Sequence, residues 1–188
     1  MKSIFTSGGK LFLICSVAAL TLGIINAITA PVIAGRKVLE LNMALTSLTG
    51  ELQAAEGVTV EEESVVKAYY PVIRAGKVES YILQLSGSGY GGDMKILSRY
   101  KLDGKIISVK MMDNLETPGL GKKSENPEYM KKFISTGSSD PVPVRKDMLE
   151  QSEAEAITGA TITFIGVAKA LEEGSRFITG GRILKGGE

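Results

Sequence analysis

The sequence predicts an α+β protein in which an N-terminal transmembrane helix precedes a domain built on a mainly antiparallel sheet with flanking helices. Three observations predict this class. An uncharged apolar run follows Lys10, two strand–turn–strand patterns occupy the middle of the chain, and helical patterns come after the strands. Strands and helices segregated in this way are typical of α+β domains, whereas parallel α/β sheets alternate them. The 188 residues are enough for about one such domain.

The apolar run, residues 11–35, has the composition of a membrane span. No charged residue lies between Lys10 and Arg36, and about 20 apolar helical residues are enough to cross a bilayer. A cleaved signal peptide is the alternative, but its apolar core is only about 7–15 residues long. We therefore expect a single-pass anchor in the cell's inner (cytoplasmic) membrane. Residues 1–10 are the expected cytoplasmic head and the domain is expected on the extracytoplasmic side, although the positive charges flanking the span are nearly balanced.

Residues 36–63 form the predicted stalk or linker between the span and the domain. Apolar residues recur in it at the spacing of a heptad seam, at Val38, Leu41, Leu45, Leu48 and Leu52. This pattern predicts an amphipathic helix. The sequence leaves two roles open for that helix: it lies on the domain or the membrane, or it docks on a partner protein.

The domain, residues 64–188, begins with two predicted β-hairpins. The stretch VVKAYYPVIRAGKVESYILQLSG reads as two strands around a turn at Ala75-Gly76-Lys77. The stretch MKILSRYKLDGKIISVKMMD reads in the same way around Asp103-Gly104, which is a strong hairpin signal.

Three further elements are predicted after the hairpins. A short helix starts near Pro127, because proline is favoured in the first turn of a helix. The stretch DPVPVRKD is expected to hold an edge strand, since Pro141 and Pro143 exclude a central one. The last helix follows TGATIT, and its predicted apolar face consists of Phe164, Val167, Ala168 and Leu171.

The composition argues against several classes of function. Lys and Arg total 22 against 21 Asp and Glu, which is not the basic excess of a nucleic-acid-binding protein. Histidine is absent and Cys15 is the single cysteine, so the familiar zinc sites, iron–sulfur clusters and histidine-based triads are not supported. No acid–base pair for substrate turnover stands out, and no catalytic residue or metal site is predicted. If the protein carries out redox chemistry, the sequence favours an organic carrier.

The motif TGATIT, Thr158 to Thr163, places three hydroxyls at the start of the last helix. Thr163 is positioned to be the helix N-cap, which leaves Thr158 and Thr161 unexplained by helix chemistry. Gly159 and Ala160 keep the backbone open, and a helix N-terminus favours phosphate through its unpaired amides and its dipole. The motif indicates either a plain helix start or a phosphate site with a free hydroxyl beside it.

Two glycine-rich loops are the other candidate site segments. ETPGLGKK, residues 116–123, follows a strand and exposes its backbone at a turn that contains Pro118, Gly119 and Gly121. GSGYGGD, residues 87–93, surrounds Tyr90 with glycines that permit close approach to a flat ligand. Each loop alone is also consistent with an ordinary turn.

Together, TGATIT, ETPGLG and GYGG behind one N-terminal span resemble the FMN-binding G subunit of the Rnf electron-transport complex. A close cousin is the C subunit of the sodium-pumping NADH:quinone reductase. The resemblance covers about Tyr69 to Leu171 and the anchor. It implies a covalent FMN, joined by a phosphoester to Thr161, in a motif written Ser/Thr-Gly-Ala-Thr-x-Thr. The residues that match the rest of the motif are Thr158, Gly159, Ala160 and Thr163.

The resemblance also implies roles around the motif. The flavin transferase that makes the phosphoester tends to favour Asp three residues before the motif, where this chain has Glu155. Lys122 and Lys123 are candidates to offset the phosphate charge. The candidate contacts of the flavin are Glu116, Thr117, Pro118, Gly119, Leu120, Gly121 and Tyr90.

The implied function is that of an electron-relay subunit, which passes electrons through FMN on the outer side of the membrane. The Rnf complex moves electrons from reduced ferredoxin to NAD⁺ and couples this flow to translocation of Na⁺ or H⁺. The implied partners are the other Rnf subunits, especially the membrane FMN-carrying D subunit and the integral membrane subunits, and the flavin transferase. The alternatives are the C subunit of the sodium-pumping reductase, a membrane-anchored exported flavin reductase, and a non-redox anchor or assembly protein. The short connection between anchor and domain favours the Rnf family over its longer cousin.

Overall fold

A computed structural model of the chain describes residues 2–60, 64–181 and 183, with side chains from residue 7 onward. The first residue of the predicted head, residues 61–63 of the predicted linker and the last residues of the predicted domain lie outside the described part. The chain divides into two compact units, Met1–Asn42 and Met43–Glu188.

The first unit is the larger part of one long helix, α1, which extends from Lys2 to Thr49. Within the described residues, Ser7–Thr49 is the one helical segment long and apolar enough to cross a membrane, and its mean hydropathy reaches 2.4. Its large apolar side chains, such as Phe12 and Leu20, are exposed. A helix that is apolar all round without a protein partner has the character of a membrane span, and Pro31 in its interior is compatible with that role.

The second unit is built on one antiparallel sheet. The strand order is β1-β3-β4-β5-β6, and β2 also pairs with β3. The strands are β1 (Gln53–Ala54), β2 (Val58–Thr59), β3 (Val66–Arg74), β4 (Lys77–Ser88), β5 (Asp93–Lys101) and β6 (Ile106–Asp113).

The two predicted hairpins are confirmed as β3–β4 and β5–β6. The first turns at Ala75 and Gly76, whose φ angles are 50° and 77°. Two successive positive φ angles are the mark of the tight turns that match the twist of a hairpin. The second contains Gly104, with a φ of 85°.

Three α-helices follow the sheet in the described part of the chain: α2 (Pro127–Met130), α3 (Gln151–Ala156) and α4 (Thr161–Thr179). The predicted short helix near Pro127 is confirmed as α2, and Asn126 caps it by accepting a 2.9 Å hydrogen bond from the amide of Glu128. The sequence did not predict α3.

The predicted edge strand in DPVPVRKD is wrong. Residues 141–144 have no regular structure, and the nearest pairing is an isolated bridge between Gly137 and Asp140. Two prolines within three residues remove the amide donors that a ladder needs. Val142 is nonetheless buried in the core, so this segment adds apolar packing without joining the sheet.

The main core lies between one face of the sheet and α4. All four residues of the predicted apolar face of α4 are buried there, and Phe164 stacks on Phe133 with ring centroids 5.6 Å apart. From the sheet, Leu83 and Leu85 of β4 belong to the same cluster. This packing fixes α4 across the sheet and brings its first turn beside the loops that follow β4 and β6.

The opposite face of the sheet holds the last turns of α1. Leu45 and Leu48 are buried, as is Ile82, which alternates with the core-facing Leu83 along β4. Arg99 of β5 donates from Nη1 to the carbonyl oxygen of Leu48 at 3.1 Å, and Lys110 of β6 donates to the Ser47 hydroxyl at 3.3 Å. The end of α1, which the sequence placed in a stalk, therefore packs on the domain, and Leu52 lies beyond the helix.

Candidate functional site

The three motif segments meet at the first turn of α4, around a cleft of about 440 Å³. Sites for small ligands commonly have volumes of about 300–1,000 Å³. The residues that line the cleft are Tyr90, Glu116, Thr117, Leu120, Gly121, Gly159, Ala160, Thr161, Ile162 and Thr163. Tyr90 follows β4, Glu116 to Gly121 follow β6, and the rest begin α4.

Glu116 is the central polar residue of this arrangement. Its side chain is buried, with 4% of its surface exposed. Oε1 accepts a hydrogen bond from the amide of Gly91 at 2.9 Å, and Oε2 accepts one from the hydroxyl of Thr163 at 2.6 Å. Oδ1 of Asn114, a residue that the sequence analysis did not single out, accepts a hydrogen bond from the backbone amide of Glu116 at 3.0 Å. One carboxylate thus joins all three motif segments.

The glycines around Glu116 are required by that carboxylate. A Cβ added at Gly89 would clash with Oε1 of Glu116, and one added at Gly121 would clash with Oε2 and crowd the Thr163 hydroxyl. The sequence interpretation, in which Gly89 admits a flat ligand and Gly121 belongs to an exposed turn, therefore misses the main contact at both positions. Glycine is needed here so that the backbone can approach a buried side chain.

The three threonines of TGATIT have different environments. The hydroxyl of Thr158 accepts a 3.0 Å hydrogen bond from Nζ of Lys146 and lies 3.3 Å from the carbonyl oxygen of Ala154. Thr163 is 1% exposed and donates to Glu116. Thr161 is exposed, and its hydroxyl has no hydrogen-bond partner among the described residues.

The prediction that Thr163 caps α4 is wrong. The helix begins at Thr161, its N-cap is Ala160, and no side chain caps it. Thr163 lies in the first turn, so its hydroxyl is directed to Glu116 and not to a backbone amide. The first turn therefore presents amides that no side chain of the described residues satisfies, next to the positive end of the helix dipole. Such a helix start favours an anionic group.

The rim of the cleft is apolar and solvent-exposed. Tyr90, Leu120 and Ile162 line it with 77%, 43% and 54% of their surface exposed. Gly159 has a φ of 85°, and a Cβ there would lie 3.0 Å from Cδ2 of Leu120. An open apolar rim beside a polar helix start suits a ligand with a flat ring at one end and an anion at the other.

Several predicted site residues lie around the cleft without lining it. Thr158, Pro118 and Gly119 are exposed and are not among the lining residues. Lys122 forms an exposed ion pair with Glu125, with Nζ and Oε1 3.6 Å apart. Glu155, at the position that the transferase reads in the resembling family, is exposed in α3.

Tyr129 of α2 is a further polar residue on this side of the sheet, and no sequence pattern singled it out. Its hydroxyl is buried and has no hydrogen-bond partner among the described residues. Burial raises the pKa of Tyr129, and the negative charge of Glu116 raises it further. Among the described residues, no cluster of His, Cys, Asp or Glu could hold a metal ion.

Comparison with known proteins assigns this architecture to a class of flavoproteins. Residues 89–175, which contain GYGG, ETPGLG and TGATIT, match the family described as FMN-binding domain. The fold is similar to that in the crystal structure of Shewanella oneidensis NqrC, with a TM-score of 0.50, 21% identity and 69% of each chain covered.

The chain also has relatives that match it along most of its length. The G subunit of an ion-translocating oxidoreductase complex from Cereibacter sphaeroides is 30% identical over 92% of this chain and 83% of that protein. The G subunit of the proton-translocating ferredoxin:NAD(+) oxidoreductase complex of Clostridium ljungdahlii is 27% identical over 95% and 93%. The corresponding G subunit of the Na(+)-translocating complex of Acetobacterium woodii is 28% identical over 86% and 85%. The chain belongs to the G-subunit family of ion-translocating oxidoreductase complexes.

Proposed function

We propose that this protein is an electron-relay subunit that carries FMN as a phosphoester on Thr161. The observation that carries this proposal is the difference between the three threonines: Thr161 alone combines exposure with a hydroxyl unpaired among the described residues. Thr161 is the first residue of α4, and a phosphate esterified to it would lie beside amides that lack a side-chain cap, which supports the proposal. An FMN-binding domain and relatives in redox complexes support the choice of cofactor.

The residues present fit FMN at both of its ends. The start of α4, with Gly159, Ala160 and Thr161, is assigned to the phosphate, because the helix dipole and amides stabilise an anion there. The exposed rim of Tyr90, Leu120 and Ile162 is assigned to the isoalloxazine ring. Glu116, Thr117, Gly121 and Thr163 complete the lining, whereas Pro118, Gly119 and Thr158 lie outside it.

When bound, FMN supplies reversible one- and two-electron chemistry, which none of the protein's own side chains provides. The chain's part is to hold the cofactor and to set its surroundings. The open cleft leaves the ring accessible from solvent, so an electron donor and an acceptor can approach it. No acid or base for substrate turnover is required of such a relay.

Attachment to Thr161 needs an activated donor, because direct esterification by free FMN is unfavourable in water. A flavin transferase with a flavin dinucleotide as donor meets this need. The Thr161 oxygen attacks the phosphorus of the FMN half, a P–O bond of the diphosphate breaks, and the nucleoside monophosphate leaves. The hydroxyl proton goes to solvent or to the transferase. The covalent bond would keep the cofactor in an exposed cleft from which it could otherwise dissociate.

The test of attachment uses the full chain co-expressed with a flavin transferase. We expect ultraviolet fluorescence of the denatured protein band for the wild type and for Thr161→Ser, and none for Thr161→Ala. Thr158→Ala, which alters the neighbouring exposed hydroxyl, is the matched control and should remain fluorescent. Mass spectrometry that places FMN on Thr158 or Thr163 would contradict the assignment.

The complex proposed for this chain transfers electrons between reduced ferredoxin and NAD⁺ and couples the flow to translocation of Na⁺ or H⁺. Its relatives from Clostridium ljungdahlii and Acetobacterium woodii are named for that activity. The proposed partners are the other subunits of the complex, especially the membrane FMN-carrying D subunit and the integral membrane subunits. Purification of the tagged chain from its native membrane should recover these subunits, and recovery of the chain alone would contradict the assignment.

The proposed topology is a single-pass anchor with the compact domain on the extracytoplasmic side. A long apolar helix near the N-terminus supports the anchor. Alkaline phosphatase fused after Glu188 should be active in a bacterial host, because that enzyme matures only outside the cytoplasm. An inactive fusion, together with an active cytoplasmic reporter at the same position, would reverse the orientation.

A further inference from the structure

We infer that Glu116 is a positioning residue for flavinylation: core packing fixes the body of α4, and the buried carboxylate holds the first turn so that Thr161 faces the transferase. This inference rests on the proposed attachment of FMN to Thr161. It gives Glu116 a role different from that of a flavin contact, because it acts through the protein segments that it joins.

The carboxylate of Glu116 is committed to the protein. Both oxygens accept hydrogen bonds, from the Gly91 amide at 2.9 Å and the Thr163 hydroxyl at 2.6 Å. Its partners lie 25 and 47 residues away along the chain. A single side chain therefore fixes the relative positions of the loop after β4, the loop after β6 and the start of α4.

The buried carboxylate restricts which residues can occupy two neighbouring positions. A side chain at Gly89 or Gly121 would overlap its oxygens. Among the described residues Glu116 forms no ion pair with Lys or Arg. A buried charge without a counter-ion is unfavourable unless hydrogen bonds and dipoles stabilise it. The amide, the hydroxyl and the positive end of α4 provide that stabilisation.

Helix geometry connects Glu116 to Thr161. Successive residues of an α-helix are about 100° apart around the axis, so Thr161 and Thr163 project in directions about 200° apart. Because Glu116 holds Thr163 inward, Thr161 must face outward. The observed burial agrees, since Thr163 is buried and Thr161 is exposed. The same bond withdraws the Thr163 hydroxyl from competition as an acceptor of the flavin.

The experiment measures flavinylation rates of the full-length chain in detergent. Chain produced without a transferase is mixed with purified transferase and flavin adenine dinucleotide, and attachment is followed by fluorescence and located by mass spectrometry. We expect Glu116→Ala to be modified about tenfold more slowly or worse, the scale expected when a reacting group is misplaced. Glu116→Gln should recover most of the rate, because its amide group can accept from Gly91 and donate to Thr163.

Two further variants separate positioning from a general loss of stability. Thr163→Val removes the other half of the bond while keeping the side-chain shape, and it should be slow like Glu116→Ala. Val72→Ala removes buried apolar atoms at a residue outside the core cluster that packs on α4, and it should keep the wild-type rate. If Glu116→Ala does not fold, the rate of Thr163→Val decides the question.

The outcomes are distinct. Wild-type rates for Glu116→Ala and Thr163→Val would overturn the inference, and so would an equal loss of rate in Val72→Ala. A Glu116→Gln variant as slow as Glu116→Ala would also overturn it, because hydrogen-bonded geometry would then not be what matters. If the wild-type chain is never modified at Thr161, the proposed function fails first and the inference fails with it.

Discussion

The domain buries two charged side chains, one in the loop after β6 at the N-terminal end of α4 and one on β5 at the C-terminal end of α1. Glu116 lies at the start of α4, whereas Arg99 lies at the end of α1, where Nη1 donates to the carbonyl oxygen of Leu48. Both placements follow the helix dipole, which favours an anion at the N-terminus and a cation at the C-terminus. Both side chains are largely buried, with 4% of Glu116 and 11% of the Arg99 side chain exposed.

The difference between the two sites lies in what surrounds the charge. Arg99 also donates from Nε to the Ser80 hydroxyl at 2.8 Å and lies 3.9 Å from a carboxylate oxygen of Glu79. It therefore has a counter-charge. Glu116 borders an open cleft and has glycines at its contacts, and the cleft is also lined by Thr161, whose hydroxyl has no hydrogen-bond partner among the described residues. The two regions therefore share a buried charge at a helix end, and the open cleft lined by Thr161 is what makes the Glu116 region the candidate site.

The largest expected effect comes from filling the space beside Glu116. Gly121→Ala would force its new Cβ against Oε2 of Glu116 and against the Thr163 hydroxyl. We expect a loss of about 1–3 kcal/mol, as for other overpacked sites, together with slower flavinylation. Thermal unfolding in detergent measures the first effect and in-gel fluorescence the second.

The control for this variant is Thr117→Ala, in the same loop, where the side chain is exposed. It should change the melting temperature little. A Gly121→Ala variant as stable as this control would show that the loop can move away from Glu116, and that the carboxylate is not held as tightly as its contacts indicate.

On the opposite face, Arg99→Met should lower stability without affecting the cofactor. The variant keeps the long apolar stem but leaves the Leu48 carbonyl and the Ser80 hydroxyl without their donor. Removing a charged hydrogen-bond partner costs about 1–3 kcal/mol. We expect a lower melting temperature and full flavin content. Loss of flavin in Arg99→Met would mean that the two faces are coupled, and the contrast between the two charges would not hold.

Two buried tyrosines allow us to compare the stability effect of a hydrogen-bonded hydroxyl with that of a hydroxyl without a partner. Tyr100 donates to the carbonyl oxygen of Leu171 at 3.0 Å, whereas the Tyr129 hydroxyl has no partner among the described residues. Tyr100→Phe should therefore cost about 1 kcal/mol, and Tyr129→Phe should be neutral or slightly stabilising, since it removes an unsatisfied buried group. Melting temperatures of the two variants give the comparison, and equal losses would contradict it.

The same two tyrosines predict how the free energy of unfolding changes at alkaline pH. Burial raises the pKa of both Tyr100 and Tyr129, and Glu116 adds to the effect at Tyr129. In the unfolded chain a tyrosine ionises near pH 10. Their contribution to stability is thus fully present below about pH 10 and is lost at higher pH, because the unfolded chain releases these protons first. Stability measured between about pH 9 and 11 should fall, and it should fall less steeply in Tyr129→Phe. A slope that Tyr129→Phe leaves unchanged would remove Tyr129 from this account.

Much of the fold could be predicted from local signals. The turns at Ala75-Gly76 and Asp103-Gly104 and the apolar face of α4 are encoded within a few residues, and the structure confirms them. The predicted edge strand near Pro141 is absent because two prolines remove the amide donors of a ladder, whereas the burial of Val142 by core packing could not be predicted from its neighbours in the sequence. The heptad seam predicts that the segment with Leu45 and Leu48 is an amphipathic helix, but it leaves open which surface the helix covers, and the structure shows that its last turns cover the second face of the sheet.

For the candidate site, the sequence located the segments but not the bonds between them. The motifs around Tyr90, Glu116 and Thr161 do meet at one cleft. The prediction that Thr163 is a cap follows the usual role of threonine at a helix start. It is wrong because the hydroxyl donates to Glu116, which lies 47 residues away in the sequence. No sequence pattern pointed to Tyr129 as a site residue, since an aromatic residue in a short helix usually belongs to the hydrophobic core.

The smallest predicted effect is electrostatic and concerns the redox potential of the proposed FMN. Reduction places negative charge on the flavin ring, and a carboxylate that lines the same cleft disfavours it. At an effective dielectric of about 20, a unit charge roughly 6 Å away contributes on the order of 3 kcal/mol before screening. The hydrogen bonds that Glu116 accepts and the open solvent face should reduce this to about 1 kcal/mol or less, which is a few tens of millivolts for one electron. We therefore expect Glu116→Gln to raise the midpoint potential while Thr161 remains flavinylated.

Glu125→Gln is the matched control, because Glu125 follows the same loop but is exposed and pairs with Lys122 and Asn114. If redox titrations give the two variants the same potential as the wild type, the Glu116 charge does not reach the ring, and its role is limited to holding the start of α4.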